Sequence, residues 1–310
     1  MVAAARALGA RDPDPGVRNP DHLAAAFIGP AELALIAGHP ISKMLDLTYQ
    51  QAIENIPIAM LTSMMIVRTR FIDQALQSAV ANGVTQVVML GAGFDSRAYR
   101  FAELLQHCRV IEALGKLPEN LIYAPIDFAH ESLSDVLHAC GLRKDEKTFF
   151  IWEGVTMYLP EQSVRSVLQT VARHVPPGST LVLDYVNDLG LAMLTNNPQG
   201  PVGSSAGWGE PWVFAVPGNH GSDFFRELGF DPGVPLSTTD IDAIKRYAVR
   251  ADGQTYAAET MQKMQAEAAA RFQAVPMSPE SAAQLESWKA ITAAGGFYWF
   301  AELTVLPRPM

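Results

Sequence analysis

The sequence is short of the residues that build several common kinds of site. Its 310 residues include only two cysteines, Cys108 and Cys140. A disulfide framework needs more of them and an oxidising compartment, so the pair reads as reduced core or helix residues. No close Cys/His spacing points to a metal. Basic side chains are outnumbered, 23 Lys and Arg against 32 Asp and Glu, for a formal charge of −9. That excludes the broad basic patch of a general nucleic-acid binder, though not a local basic pocket. No apolar run reaches the roughly 18 to 20 residues needed to span a bilayer. The most apolar stretch, Ile56 to Val67, runs into Arg68 and Arg70 and reads as a buried helix. The opening MVAAARALGARDPDPGVRNP lacks the basic-then-apolar layout of a signal peptide, so a cytoplasmic location is expected. Internal repeats and low-complexity tracts are also missing.

What is present is a regular alternation. A helix is expected over 57–82, with Pro57 suited to its first turn and Asn82-Gly83 as its stop. Short apolar runs then follow at 86–90 (QVVML), 109–112 (RVIE), 121–127 (LIYAPID), 148–153 (TFFIWE) and 180–185 (TLVLDY). Between them lie helical patterns. Leu133, Val136, Leu137 and Cys140 fall at i, i+3, i+4, i+7, as do Val164, Val167, Leu168 and Val171. Strands alternating with helices predict an α/β fold with a mostly parallel, twisted sheet. A further short helix is expected at 224–229 and a last strand at 297–306.

The expected organisation is one integrated domain. A Pro-punctuated helical leader and cap takes 1–82, a Rossmann-like core takes 83–186, and substrate-side insertions with the end of the sheet take 187–310. Residues 187–223, with several glycines and Trp208 and Trp212, read as a long loop, functional or disordered rather than core. Residues 240–294 read as mostly helical and polar. One connection does not fit. Only 113–120 separate Glu112 from Leu121, whereas a parallel crossover needs about ten to twelve residues or more. Residues missing at this point are the favoured explanation.

The first strand ends in Gly91-Ala92-Gly93, a turn in which glycine lets the backbone approach a ligand and take positive φ. Alone, such a turn is weak evidence. Its position strengthens it. Glu112 ends the next strand and is placed to accept hydrogen bonds from both hydroxyls of a ribose; otherwise it is a solvated strand end. Asp127 and Glu153 end the third and fourth strands, so three acids would face one crevice at the carboxyl edge of the sheet. That suits adenosine and a cationic ligand rather than phosphates. Ser96 stands where GxGxxG would place its third glycine, and no GK[ST] motif occurs. Both features count against NAD and ATP.

The stretch VRTRFIDQALQSAVANGVTQVVMLGAGFDSRAYRF, together with APIDF and FFIWEGVTMYLPEQSV, resembles the leucine carboxyl methyltransferase-like family, in particular its bacterial branch. The resemblance is closest over about 60–186 and looser over WGEPWVF and GFYWFAELTV. It implies a class I methyltransferase fold and S-adenosyl-L-methionine as cofactor, with S-adenosyl-L-homocysteine as product. By position it implies that Arg68 pairs with the cofactor carboxylate, and that Gly91, Ala92, Gly93 and Phe94 form the turn beneath it. Asp95 and Arg97 of the same motif would pair with each other. Asp127 and Phe128 would hold the adenine, and Glu153 would lie near the amino-acid end. Arg70 reads as structural, and Trp152 and Met157 as core. Tyr158 either faces the substrate or is simply half-buried. Two departures stand out. The second acid of the family's acid-x-acid is replaced by Leu114, and the basic residue that the family usually carries upstream of this leader is expected to belong to residues missing before Met1.

The expected reaction is methyl transfer to an oxygen, hydroxyl or carboxylate, of a small hydrophobic metabolite, driven by proximity and alignment. No metal, membrane or nucleic-acid partner is called for. Tyr158, His220 and Tyr185 are the candidate bases for a hydroxyl acceptor, with nothing to choose among them. The alternatives are methylation of a protein C-terminal carboxylate, a catalytically idle cofactor-binding protein and, remotely, a nicotinamide-dependent oxidoreductase. Oligomeric state is not legible.

Overall fold

The computed structural model describes residues 2–35, 46–54, 56–112, 121–128, 130–195, 211–218, 220–238, 240–255 and 295–308. The chain divides into two compact units that interleave along the sequence. One comprises Met1–Asp73, Phe94–Arg100 and Thr238–Glu286. The other comprises Gln74–Gly93, Phe101–Ser237 and Ser287–Met310. These bounds differ from the expected 1–82, 83–186 and 187–310.

The second unit carries the sheet. Its strands are β1 (Gln86–Met89), β2 (Arg109–Glu112), β3 (Leu121–Tyr123), β4 (Thr148–Trp152), β5 (Thr180–Val186), β6 (Phe230–Asp231), β7 (Leu236–Ser237) and β8 (Tyr298–Val305). The order is β3-β2-β1-β4-β5-β8-β6, with β7 also on β8. Strands β1 to β5 are mutually parallel, and β8 returns antiparallel to β5. The continuous apolar runs are explained by burial on both faces: every residue of β1 and β4 is buried. The helix Glu161–His174 turns Val164, Val167, Leu168 and Val171 into the core, as their spacing predicts. The helix Leu133–Ala139 buries Leu133 and Leu137 and starts at Ser132, whose side chain accepts from the Asp135 N–H.

Two local expectations need correction, and two short strands were not foreseen. Strand β3 stops at Tyr123 instead of running to Asp127; Pro125, which has no N–H to donate, follows two residues later. The stretch read as loop contains a helix at Asp188–Thr195, whose sequence DLGLAMLT is too uniformly apolar to show a helical period. The two-residue strands β6 and β7 are too short to carry a period at all. The short crossover 113–120 and Trp208 lie outside the described residues.

The first unit is held differently. It contains the helix Val2–Gly9, short helices at Pro30–Leu35, Tyr49–Ile53 and Arg97–Arg100, the helix Ile241–Tyr247, and most of the long helix Ile56–Ala81. A small apolar cluster joins Ala4, Ala5 and Leu8 to Ala52, Ile58 and Met65. The same unit also holds a buried ionic network. Arg97 donates to Asp73 at 2.8 Å and to Asp95 at 2.6 Å. Arg100 donates to Asp73 at 2.7 Å and lies 3.7 Å from Asp21, and Arg6 is 3.3 Å from Asp21. Arg70 donates to the main-chain carbonyls of Gly16, Pro15, Arg18 and Tyr247, which fits its expected structural role. Burial lowers its pKa, and the nearby charges of Asp14 and Asp73 work against that. Among the described residues no helix is long and apolar enough to cross a membrane.

Candidate functional site

The strand order reverses direction at β1, which has β2 on one side and β4 on the other. Connections leaving neighbouring strands in opposite directions open a crevice at the carboxyl edge, where open α/β sheets bind ligands. The Leu90 N–H still donates to the Ile151 carbonyl at 2.8 Å, so the ladder to β4 holds up to the turn. Gly91 then takes φ +66° and Gly93 φ +54°, a region in which a side chain is strained. A Cβ on Gly91 would lie 2.9 Å from Val155 Cγ2 and 3.7 Å from Phe128 Cε2. Around Gly93, the described residues place one such neighbour within 4 Å, Gly91 O at 3.8 Å from a built Cβ. One side of the turn is therefore walled by Val155 and Phe128, and Gly93 beyond it is exposed. Ala92 between them is half-buried.

The acids follow in order along this edge. Glu112 ends β2 opposite Tyr123 of β3, with its side chain outside the described structure. Asp127 lies four residues beyond β3, in the loop that carries Phe128. Its carboxylate is exposed and sits 2.8 Å from His130 Nδ1, while its N–H donates to Glu131 at 2.6 Å. Phe128 is half-buried and tilted 47° against Trp152, with ring centroids 6.2 Å apart. Glu153 is half-buried and immediately follows β4, where Gly154 at φ +71° takes the chain off the sheet. Trp152 and Met157 are core, as expected.

The three candidate bases differ sharply. Tyr158 is 38 % exposed and makes an edge-on contact with Trp212, and the Val213 and Phe214 N–H groups donate to the neighbouring Met157 carbonyl. His220 is exposed, with Nδ1 2.9 Å from Ser222 Oγ and its ring edge-on to Trp299. Tyr185 is 1 % exposed, and its hydroxyl donates to the His220 carbonyl at 2.8 Å. Burial drives its pKa well above the ordinary tyrosine value. A buried, firmly protonated phenol already donating to main chain is a poor proton acceptor. Tyr185 is therefore corrected from candidate base to anchor of the His220 turn.

Arg68, Phe94 and Asp95 belong to the first unit. Arg68 is buried, at 2 % exposure. Phe94 is exposed, and its carbonyl accepts from Arg6 at 2.6 Å. Asp95 is buried. It accepts from the Arg97 N–H at 2.8 Å and from the Arg97 guanidinium, the pairing expected from the motif. Among the described residues no group of three or more His, Cys, Asp or Glu is placed to hold a metal.

Asp184 escaped the sequence reading. An acid in the middle of TLVLDYV was the available signal, because a buried carboxylate must be hydrogen-bonded. It is fully buried.

Strand order, glycine turn and strand-end acids define a Rossmann-like fold of the class I methyltransferase type. A solved structure, a DUF574 family protein from Streptomyces avermitilis, shares the fold at TM-score 0.50 and 12% identity, covering 84% of this chain and 90% of that one. The family model for leucine carboxyl methyltransferase matches residues 1–114 and 109–172, and the chain belongs to that family. The two matched segments meet at 109–114, beside the short crossover. A Mycolicibacterium vanbaalenii protein named "Putative S-adenosyl-L-methionine-dependent methyltransferase" is 32% identical over 204 residues, 60% of this chain and 64% of its own length. This chain thus spans just under two thirds of that relative. A protein of the same name from Mycobacterium marinum is 28% identical over 254 residues, 74% of this chain and 81% of its own.

Proposed function

We propose that the chain is an S-adenosylmethionine-dependent methyltransferase acting on an oxygen of a small hydrophobic metabolite. The observation that carries this reading is the turn at Gly91 to Gly93, sited where the sheet reverses. Its one wall is an aromatic and an aliphatic side chain, and Gly93 is exposed backbone. Phosphate-binding turns instead offer converging amides at a helix start. The cradle fits an adenosyl group, which needs a stacking face, hydroxyl acceptors and little charge neutralisation.

In this reading Phe128 supplies the face for the adenine. The exposed Asp127 carboxylate accepts from its amino group, and Glu112 accepts from the ribose hydroxyls. Glu153 serves the amino-acid end, and Arg68 the carboxylate, for which a planar guanidinium is apt. Gly91, Ala92 and Gly93 present backbone, with Phe94 following. The cofactor supplies an electrophilic methyl group on a sulfonium. The protein's part is alignment and exclusion of water. Tyr158 and Trp212 give an apolar, aromatic surface beside the loop after β4, which suits a hydrophobic small molecule. For a hydroxyl acceptor, His220 is the exposed group able to take the proton; a carboxylate acceptor needs no base. The family's description favours one second reading, a peptide carboxyl terminus as acceptor.

The test is transfer of a labelled methyl group from S-adenosylmethionine to panels of phenols, alcohols, carboxylic acids and C-terminal peptides. Labelled, base-stable ether from phenols or alcohols supports the hydroxyl reading, with His220→Ala slowing that transfer about 100-fold. Base-labile ester on small acids supports a carboxylate acceptor, and ester on peptides alone supports the second reading. Cofactor binding without transfer to any panel would contradict the enzymatic claim.

A further inference from the structure

Asp184 lies on β5, at the carboxyl edge of the sheet, with no exposed surface. Its side chain and its main chain both hold the loop that leaves β4. The Gly154 N–H donates to Asp184 Oδ1 at 2.6 Å. The Thr156 hydroxyl donates to the Asp184 carbonyl at 2.8 Å. The second carboxylate oxygen accepts a hydrogen bond from the Tyr298 hydroxyl, on β8. Tyr298 is not opposite Asp184 in the ladder; Phe300 is. The phenol reaches back along the strand to the carboxylate.

Strands β4, β5 and β8 are already joined by their ladders, so the sheet does not need a buried carboxylate for cohesion. Burying one is costly unless it is well hydrogen-bonded. What Asp184 adds is a fixed position for the first residues off the sheet. Gly154 stands at φ +71°, between Glu153 and Val155. Val155 in turn packs over Gly91, its Cγ2 2.9 Å from where a Cβ would sit, so a side chain there would have to displace it. A carboxylate that fixes Gly154 therefore sets Glu153 on one side and the wall of the glycine turn on the other.

We infer that the Tyr298–Asp184 pair is a positioning device for cofactor binding, acting through Gly154 on Glu153 and on Val155 against the Gly91 turn. This rests on the cofactor reading above. Both residues act at one remove from the ligand. Tyr298→Phe keeps the ring and deletes only the hydroxyl. Asp184→Asn keeps an oxygen for Gly154 and disturbs the bond to Tyr298. Val182→Ala, a buried truncation two residues earlier on the same strand that leaves the carboxylate, Gly154 and Tyr298 groups in place, is the control for general loosening.

The experiment is calorimetric titration with S-adenosylhomocysteine, alongside thermal unfolding, for the wild type and the three variants. A lost hydrogen bond to a charged group has a large effect locally, and we expect roughly fivefold to twentyfold weaker binding in Tyr298→Phe. Val182→Ala should bind within about twofold of wild type even where its unfolding temperature falls as far or further. If Asp184→Asn does not fold, Tyr298→Phe alone decides. Wild-type affinity in Tyr298→Phe, or weakening in step with Val182→Ala, overturns the positioning role and leaves the cofactor reading intact. No binding by folded wild type overturns both.

Discussion

The two compact units solve the same problem with different chemistry. The sheet unit rests on an apolar core in which Phe149, Phe150, Trp152, Leu168 and Leu181 are fully buried. The leader unit has a smaller apolar cluster and buries Arg6, Asp21, Asp73, Asp95 and Arg97 instead. Apolar burial is non-directional, gains with area and tolerates reshaping. A buried ion network is directional, and its net worth depends on every member being present. The first arrangement supplies cohesion. The second specifies one conformation for Phe94–Arg100, the segment that follows the glycine turn.

The comparison breaks most visibly at Asp73, which accepts from both Arg97 and Arg100. Asp73→Ala should cost about 3–5 kcal/mol in urea unfolding, because two guanidinium groups lose their shared buried carboxylate. Adding Arg97→Met should recover part of that loss. Strict additivity of the two changes would contradict the network account. In the sheet unit, Leu168→Ala should cost about 2–5 kcal/mol by the same assay, with no second truncation that restores it.

A smaller effect on stability, with a larger one on binding, is expected at Gly91. Alanine there meets Val155 and holds a strained φ, so Gly91→Ala should cost about 1–2 kcal/mol in stability. It should weaken S-adenosylhomocysteine binding about tenfold or more; unchanged affinity would mean the turn does not touch the ligand.

The smallest effect concerns Glu302 on β8, whose carboxyl burial pushes above its ordinary 4.5. The folded state then holds that proton more tightly than the unfolded one. Its contribution is fully present below pH 4.5 and is lost as pH rises through the raised value. Glu302→Gln should match the wild type in acid and unfold slightly later at neutral pH, by about 0.5 kcal/mol or less. A gain that is largest in acid would reverse the sign of this account.

Much of the sheet unit was legible because burial on both faces leaves continuous apolar runs, and its long helix leaves an i, i+3, i+4, i+7 stripe. The strand-end turn at Gly91 was legible for the same reason: a run stopped by two glycines. The Asp95–Arg97 pair was legible only through the motif that the resemblance supplies. The rest of the ionic network was not. Arg6, Asp21, Asp73 and Arg100 are scattered along the chain, and no period links them. Asp184 and Tyr298, 114 residues apart, meet only because β8 returns beside β5. The helix Asp188–Thr195 was hidden by its uniform apolarity and by Gly190 within it. Tyr185 looked like a base because a sequence shows a phenol but not its burial.

The central claim is that the crevice at the carboxyl edge of β1 and β4 binds an adenosyl sulfonium cofactor. Calorimetric titration of the folded chain with S-adenosylmethionine and S-adenosylhomocysteine, with Asp127→Ala and Arg68→Ala alongside, tests it most directly. The account predicts saturable, one-to-one binding, about tenfold or more weaker in Asp127→Ala, which loses a carboxylate acceptor, and weaker in Arg68→Ala. Absence of heat on titrating a correctly folded wild type, or binding indifferent to Asp127, would contradict it.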